Sequence, residues 1–92
     1  AVSNELYINE KKQYRSYFLS FESGARLELM QMNSVAENLN GTGSQYFGLN
    51  HLAFSTGSKM MVDTLTQRLS EAGFKVIGEP RTTGDGYYDS VV

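Results

Sequence analysis

Gly48-Leu49-Asn50-His51-Leu52-Ala53-Phe54-Ser55 is the stretch on which the reading of this chain turns. It reads as a strand over Leu49 to Ser55 with the single histidine of the chain at its centre, and it runs directly into a stretch of helical period. A second apolar strand, Ala25-Arg26-Leu27-Glu28-Leu29-Met30, carries Glu28 at its centre in the same way. An ionised carboxylate inside an apolar strand is costly unless something pairs with it. Carboxylate oxygen and imidazole nitrogen are common ligands of divalent metals, so a metal ion would satisfy Glu28 and His51 together. Two ligands are not a complete site, and the rest of the chain has to be read for others.

Downstream of the histidine strand, Met61, Val62, Leu65, Leu69 and Ala72 recur at helical spacing, with Lys59, Asp63, Gln67, Arg68 and Glu71 between them. The spacing predicts one helix over Ser58 to Ala72, with Ser58 as its N-cap and Gly73 as its stop. Lys75-Val76-Ile77-Gly78 reads as a strand, Glu79 to Gly86 as a loop holding the only proline, and Tyr87 to Val92 as the opening of a final strand. Upstream, Leu6-Tyr7-Ile8, the aromatic run Tyr14 to Phe21, and Ala25 to Met30 form a three-stranded antiparallel meander. The polar turns Asn9 to Gln13 and Glu22-Ser23-Gly24 join its strands. Residues 33–47 are polar and hold Asn40-Gly41-Thr42-Gly43-Ser44, a loop. Its glycines lack the third glycine and the strand-to-helix setting of a dinucleotide fingerprint, and its Asn40-Gly41-Thr42 sequon is read as chance. The order is βββ, then βαββ. The two halves match if a strand and helix precede Ala1 and a strand follows Val92. The chain, which begins on Ala1 and stops inside a strand, is therefore expected to be a piece of a longer protein.

Composition narrows the function classes. The chain has 92 residues, 40% of them hydrophobic and 20% charged, which suits one small globular domain. A net charge of −2 and a pI near 5.2 argue against nucleic-acid binding, which needs clustered Lys and Arg; Lys11-Lys12 is the only adjacent basic pair. With no cysteine, this sequence has no disulfides, no thiolate metal site and no cysteine nucleophile. No apolar run reaches membrane-spanning length and no signal peptide is visible, so the expected compartment is the cytoplasm.

Side chains alternate across a strand. Leu52 and Phe54 share one face and are the expected cover for the helix stripe of Met61, Leu65 and Leu69. His51 then points away from the helix, with Leu49 and Ala53. In the earlier strand Leu27 and Leu29 form the apolar pair, and Glu28 lies opposite, beside Arg26 and Met30. With helices on the outside of both sheets, Glu28 and His51 face an inner concave surface. By spacing alone a blander reading is favoured: a surface carboxylate paired with Arg15 or Arg26 on a one-sided sheet, and an ordinary hydrogen-bonded histidine.

The order and spacing of these motifs shift that balance. Gly48 to Ser55 followed by a helix resembles the start of the second module in the vicinal oxygen chelate superfamily. That superfamily takes in glyoxalase I, bleomycin and fosfomycin resistance proteins, methylmalonyl-CoA epimerase and extradiol dioxygenases. Tyr17 to Phe21 with Gly24 to Met30 resembles the close of the first module. Gly78 to Gly84 and the strand from Tyr87 are similar to the stretch before the last strand. The resemblance covers essentially the whole chain and implies an α+β fold of paired βαβββ modules. Residues 1–32 would be the remainder of module one without its opening strand and helix, 33–47 a linker, and 48–92 most of module two without its last strand, within a single glyoxalase-like domain. Metal-dependent members use four ligands, two per module. By that resemblance Glu28 is the closing ligand of module one and His51 the opening ligand of module two, while the other two fall outside this sequence.

The resemblance further implies a divalent metal (Zn, Ni, Mn or Fe) that binds vicinal oxygens of a small substrate and stabilises an enediolate. Glu28 is a candidate base as well as a ligand, and the expected activity is a glyoxalase-like lyase or isomerase reaction. Arg15 and Arg81, with Arg26, are candidate partners for substrate carboxylates; for any one of them a plain surface charge is the favoured reading. A homodimer with shared clefts is expected. The alternative is a metal-free protein of bleomycin-resistance type that sequesters a ligand in the same cleft.

Overall fold

Strand-forming residues dominate the first third of the chain, and in the computed structural model they form an antiparallel sheet. The structure describes residues 1–41 and 43–92, so Thr42, the last residue of the Asn40-Gly41-Thr42 sequon, lies outside the described residues. The chain divides into two compact units, Ala1–Ser44 and Gln45–Val92.

The first unit is built on its central strand. β1 (Val2–Ser3) and β2 (Tyr7–Asn9) pair with one strand, β3 (Tyr14–Ser20), which also pairs with β4 (Arg26–Met32), all antiparallel. β1 was not legible in the sequence; the three strands expected there are β2, β3 and β4. Val2 faces Ser20 and Ser3 faces Leu19, whereas Tyr7 faces Ser16, so the leading segment holds one residue more than β3 does over the same span. That is a β-bulge between β1 and β2. Asn4 spans it: its N–H donates to the Phe18 carbonyl at 3.0 Å and its Oδ1 accepts from the Phe18 N–H at 2.7 Å. Between β2 and β3 lies a 3₁₀ turn, Glu10–Lys12, capped by Asn9 Oδ1 accepting from the Lys12 N–H at 3.2 Å. β3 and β4 are joined by a tight hairpin. The Phe21 N–H donates to the Ala25 carbonyl at 3.0 Å, and the Gly24 N–H donates to the Phe21 carbonyl at 2.9 Å. Gly24 sits at φ 87°, a conformation that costs glycine nothing.

The second unit carries the helix α1 (Lys59–Glu71) and a two-stranded sheet of β5 (Gly78–Thr82) and β6 (Tyr88–Val91). Both expected helix ends are found. Ser58 Oγ accepts from the Met61 N–H at 3.2 Å. At the other end the Gly73 N–H donates to the Ser70 carbonyl and the Phe74 N–H to the Leu69 carbonyl, each at 3.0 Å, the paired bonds of a Schellman motif. That motif absorbs Phe74, which explains why the next strand starts at Gly78 and not at Lys75. The strand then runs through the residues expected to form a loop. Gly78 faces Val91 while Arg81 faces Asp89, so β5 has one extra residue at Glu79–Pro80. A bulge is one of the few places in a sheet that tolerates a proline. The β5–β6 hairpin repeats the closure of β3–β4: the Thr83 N–H donates to the Tyr87 carbonyl at 2.7 Å, the Gly86 N–H to the Thr83 carbonyl at 3.0 Å, and Gly86 has φ 89°.

Two expectations are corrected here. The segment 49–55 alternates as a strand should, yet it carries no strand, and the sheet of this unit is β5–β6 alone. Alternation selects a face only once a backbone ladder exists to define one, so it does not orient His51. Nor do Leu52 and Phe54 cover the helix, since both remain more than half exposed. The helix instead packs on β6 through polar groups. Thr66, only 5% exposed, has its Oγ1 2.6 Å from both the Val62 carbonyl and Ser90 Oγ. The Tyr88 hydroxyl donates to Asp63 Oδ1 at 2.8 Å, and the Lys59 ammonium lies 5.3 Å from the Tyr88 ring centroid. Met61 and Leu65 stay exposed, and among the described residues no apolar side chain is fully buried.

Two measurements test this account. Ser58→Ala should destabilise the helix by about 1 kcal/mol, read from denaturant unfolding followed by circular dichroism, whereas Ser58→Asp should not. The bond to Asp63 raises the Tyr88 pKa above 10.0, with burial adding to the shift. The linkage is therefore whole below pH 10.0 and is lost as the pH rises through the folded value. In Asp63→Asn the Tyr88 ring, followed by NMR, should titrate nearer 10.0; an unmoved midpoint would remove the bond from the account.

Candidate functional site

The register of β3 against β4 fixes what surrounds Glu28. Phe18 faces Glu28, Ser16 faces Met30, Ser20 faces Arg26 and Tyr14 faces Met32, so these eight residues share one side of the sheet. Tyr7 of β2 faces Ser16 and joins them. The opposite side takes Arg15, Tyr17, Leu19, Leu27, Leu29 and Gln31. The expected separation of Glu28 from Leu27 and Leu29 therefore holds, and Arg26 and Met30 do lie beside it.

Neither arginine considered as a partner for Glu28 fills that role. Arg15 is on the other side of the sheet, opposite Gln31, and lines a concavity of about 420 Å³ with Ile8, Glu10 and Gln13. Arg26 is on the right side, but its guanidinium lies over the Phe18 ring at 4.2 Å. The partner is Tyr14, whose hydroxyl donates to Glu28 Oε1. That bond is the first cause of a raised Tyr14 pKa, because losing the phenol proton would place two negative charges side by side. The Tyr7 and Tyr14 rings meet edge to face at 6.1 Å and 64°. Ser16, 2% exposed, lies on the same face, and its hydroxyl acts on the Tyr14 pKa in the direction opposite to Glu28. Glu28 is thus an exposed carboxylate on an aromatic face, held at one oxygen by a phenol.

His51 belongs to the second unit and is exposed. The loop before it is organised by Asn50, whose Oδ1 accepts from the Tyr46 N–H at 2.9 Å and whose Nδ2 donates to the Gly48 carbonyl at 3.2 Å. Arg81, on β5, is engaged within its own hairpin. Its Nη1 donates to the Glu79 carbonyl at 3.3 Å and lies 3.9 Å from Asp89 Oδ1. A Cβ on Gly78 would fall 2.7 Å from that Nη1, so a side chain there would require the guanidinium to shift. Among the described residues no three His, Asp or Glu side chains converge as a metal centre. Glu28 carries an oxygen donor and His51 a nitrogen donor of the kinds divalent ions take, one in each unit.

Tyr14 is the residue of this face that the sequence reading passed over. The signal for it was present: counting back from the Phe21–Ala25 hairpin sets Phe18 against Glu28, and alternation then carries Tyr14 onto the same side.

Comparison with known proteins gives two findings. A family model described as Glyoxalase/Bleomycin resistance protein/Dioxygenase superfamily matches residues 2–92. The uncharacterized protein YqjT of Bacillus subtilis (strain 168) is 46% identical over 44 residues, a match that takes in 45% of this chain and 34% of that protein. The chain thus matches about a third of its relative's length.

Proposed function

The chain belongs to the Glyoxalase/Bleomycin resistance protein/Dioxygenase superfamily, and from that premise we propose that it is part of a metal-dependent lyase or isomerase of glyoxalase type. The observation that carries this reading is the setting of Glu28. It is an exposed carboxylate on an aromatic sheet face, with its only described side-chain hydrogen bond made to a neutral phenol and not to a cation. A carboxylate free of salt bridges keeps its charge available to an incoming ion. Glu28 and His51 would each serve as a ligand of a divalent metal, in one site or in two, with further ligands beyond these residues. When bound, such a metal supplies Lewis-acid polarisation of two neighbouring substrate oxygens.

The residues present have roles of their own in this scheme. Glu28 presents a carboxylate oxygen that can take a proton from a carbon next to a carbonyl and return it to the adjacent carbon. Tyr7, Phe18 and Met30 give that oxygen an apolar surround, against which the carbon skeleton of a small substrate would lie. Arg26, over Phe18, puts a positive charge on the same face, where a substrate carboxylate would be met bidentately. The reading pairs two copies of the protein, with clefts drawn from both.

Metal binding by the intact protein tests the proposal. Glu28→Gln and His51→Ala should each weaken uptake of manganese or nickel, measured by titration calorimetry. Unchanged binding in either variant removes that residue from the site. A wild-type protein that takes up no nickel, zinc or manganese yet binds small molecules would support the alternative, a metal-free sequestering protein.

A further inference from the structure

Tyr14 and Glu28 are not nearest neighbours across the ladder. Glu28 faces Phe18, and Tyr14 lies four residues further along β3, about 13 Å at strand spacing. To meet, the two side chains must lean toward each other along the sheet, passing over the row of Ser16 and Met30. Ser16 is the small residue of that row, and its burial to 2% exposure fits a side chain overlaid by its neighbours. The Tyr7 ring braces Tyr14 edge to face. The contact is thus assembled from three strands: Tyr7 on β2, Tyr14 and Ser16 on β3, Glu28 on β4.

An ionised carboxylate has two oxygens and about four acceptor positions. The Tyr14 hydroxyl takes one of them, on Oε1. Resting on the metal-ligand reading of Glu28, we propose that Tyr14 is a positioning residue that engages Oε1, fixes the Glu28 rotamer and leaves Oε2 as the one oxygen free to serve as a ligand. Hydrogen-bond partners of metal ligands commonly set ligand orientation in this way, and losing one typically costs 10- to 100-fold in metal affinity.

Cobalt(II) is the probe, because its visible absorption reports ligand number and geometry. The intact wild-type protein is compared with Tyr14→Phe, which keeps the ring and its contact with Tyr7; with Tyr17→Phe, which removes a hydroxyl from the opposite face of the same sheet; and with Glu28→Gln. Circular dichroism confirms that each is folded. The expected result is a cobalt affinity about tenfold lower in Tyr14→Phe. Its cobalt spectrum should also move toward higher coordination as the released carboxylate binds through both oxygens. Tyr17→Phe should match wild type in both readouts. If Glu28→Gln loses cobalt while Tyr14→Phe keeps wild-type affinity and spectrum, the positioning role is overturned and the ligand role of Glu28 stands. Equal losses in Tyr17→Phe and Tyr14→Phe also overturn it, since the effect would then belong to the sheet as a whole. Wild-type cobalt binding in Glu28→Gln overturns both proposals.

Discussion

The antiparallel register between Tyr14–Ser20 and Arg26–Met32 is the constraint on which the first unit depends. β3 spends backbone groups on both edges, toward β1 and β2 on one side and β4 on the other, so every strand of the sheet is referred to it. Because side chains alternate, a slip of one residue would exchange the two faces wholesale. Glu28 would then lie with Tyr17 and Leu19, away from Tyr14. Contacts at both ends oppose such a slip. The Phe21–Ala25 turn closes one end, and at the other the Asn33 Nδ2 donates to Gln13 Oε1 at 2.8 Å. The chemistry available on this face is therefore a product of backbone pairing before it is a product of any one side chain.

The second unit follows a different logic. Its helix meets the hairpin through a hydroxyl pair and a tyrosine–aspartate bond, where an apolar stripe would ordinarily bury itself. Each such hydrogen bond is worth about 1 kcal/mol net, whereas full burial of a leucine or methionine is worth about 1.5–3 kcal/mol. Leu65, 38% exposed, and Met61, 44% exposed, realise only part of that gain. Direction and specificity in this unit come from polar contacts, and its apolar residues remain open to further burial.

Local signals were the legible part of the sequence. Ser58 and Gly73 announced both helix ends, the aromatic run announced β3, and the α+β class followed from their order. Strand existence at 49–55 was misread because hydrophobic alternation is a property of side chains, whereas a strand is a property of paired backbones. β5 was displaced because a helix cap and a proline-bearing bulge both act on the backbone across several residues, and neither leaves a periodic trace. On the site face, Glu28 stood out by its apolar neighbours in sequence. Tyr14 did not, since its role depends on a residue fourteen positions away. Register, not composition, joins them.

Gly24 and Gly86 also bear on how the chain folds. Each closes a hairpin whose defining bonds link residues no more than four apart, so the loop-closure entropy is small and such hairpins form within about 1–10 μs. β2 joins β3 locally as well, through Asn9 with Tyr14 and Tyr7 with Ser16, whereas Val2 with Ser20 and Tyr14 with Met32 are the distant pairings of this sheet. Each unit therefore holds its own starting point. In the first unit β3 is reached by a local turn on each side, and the contact of Tyr14 with Glu28, fourteen residues apart, depends on the ladder that grows from the Phe21–Ala25 turn.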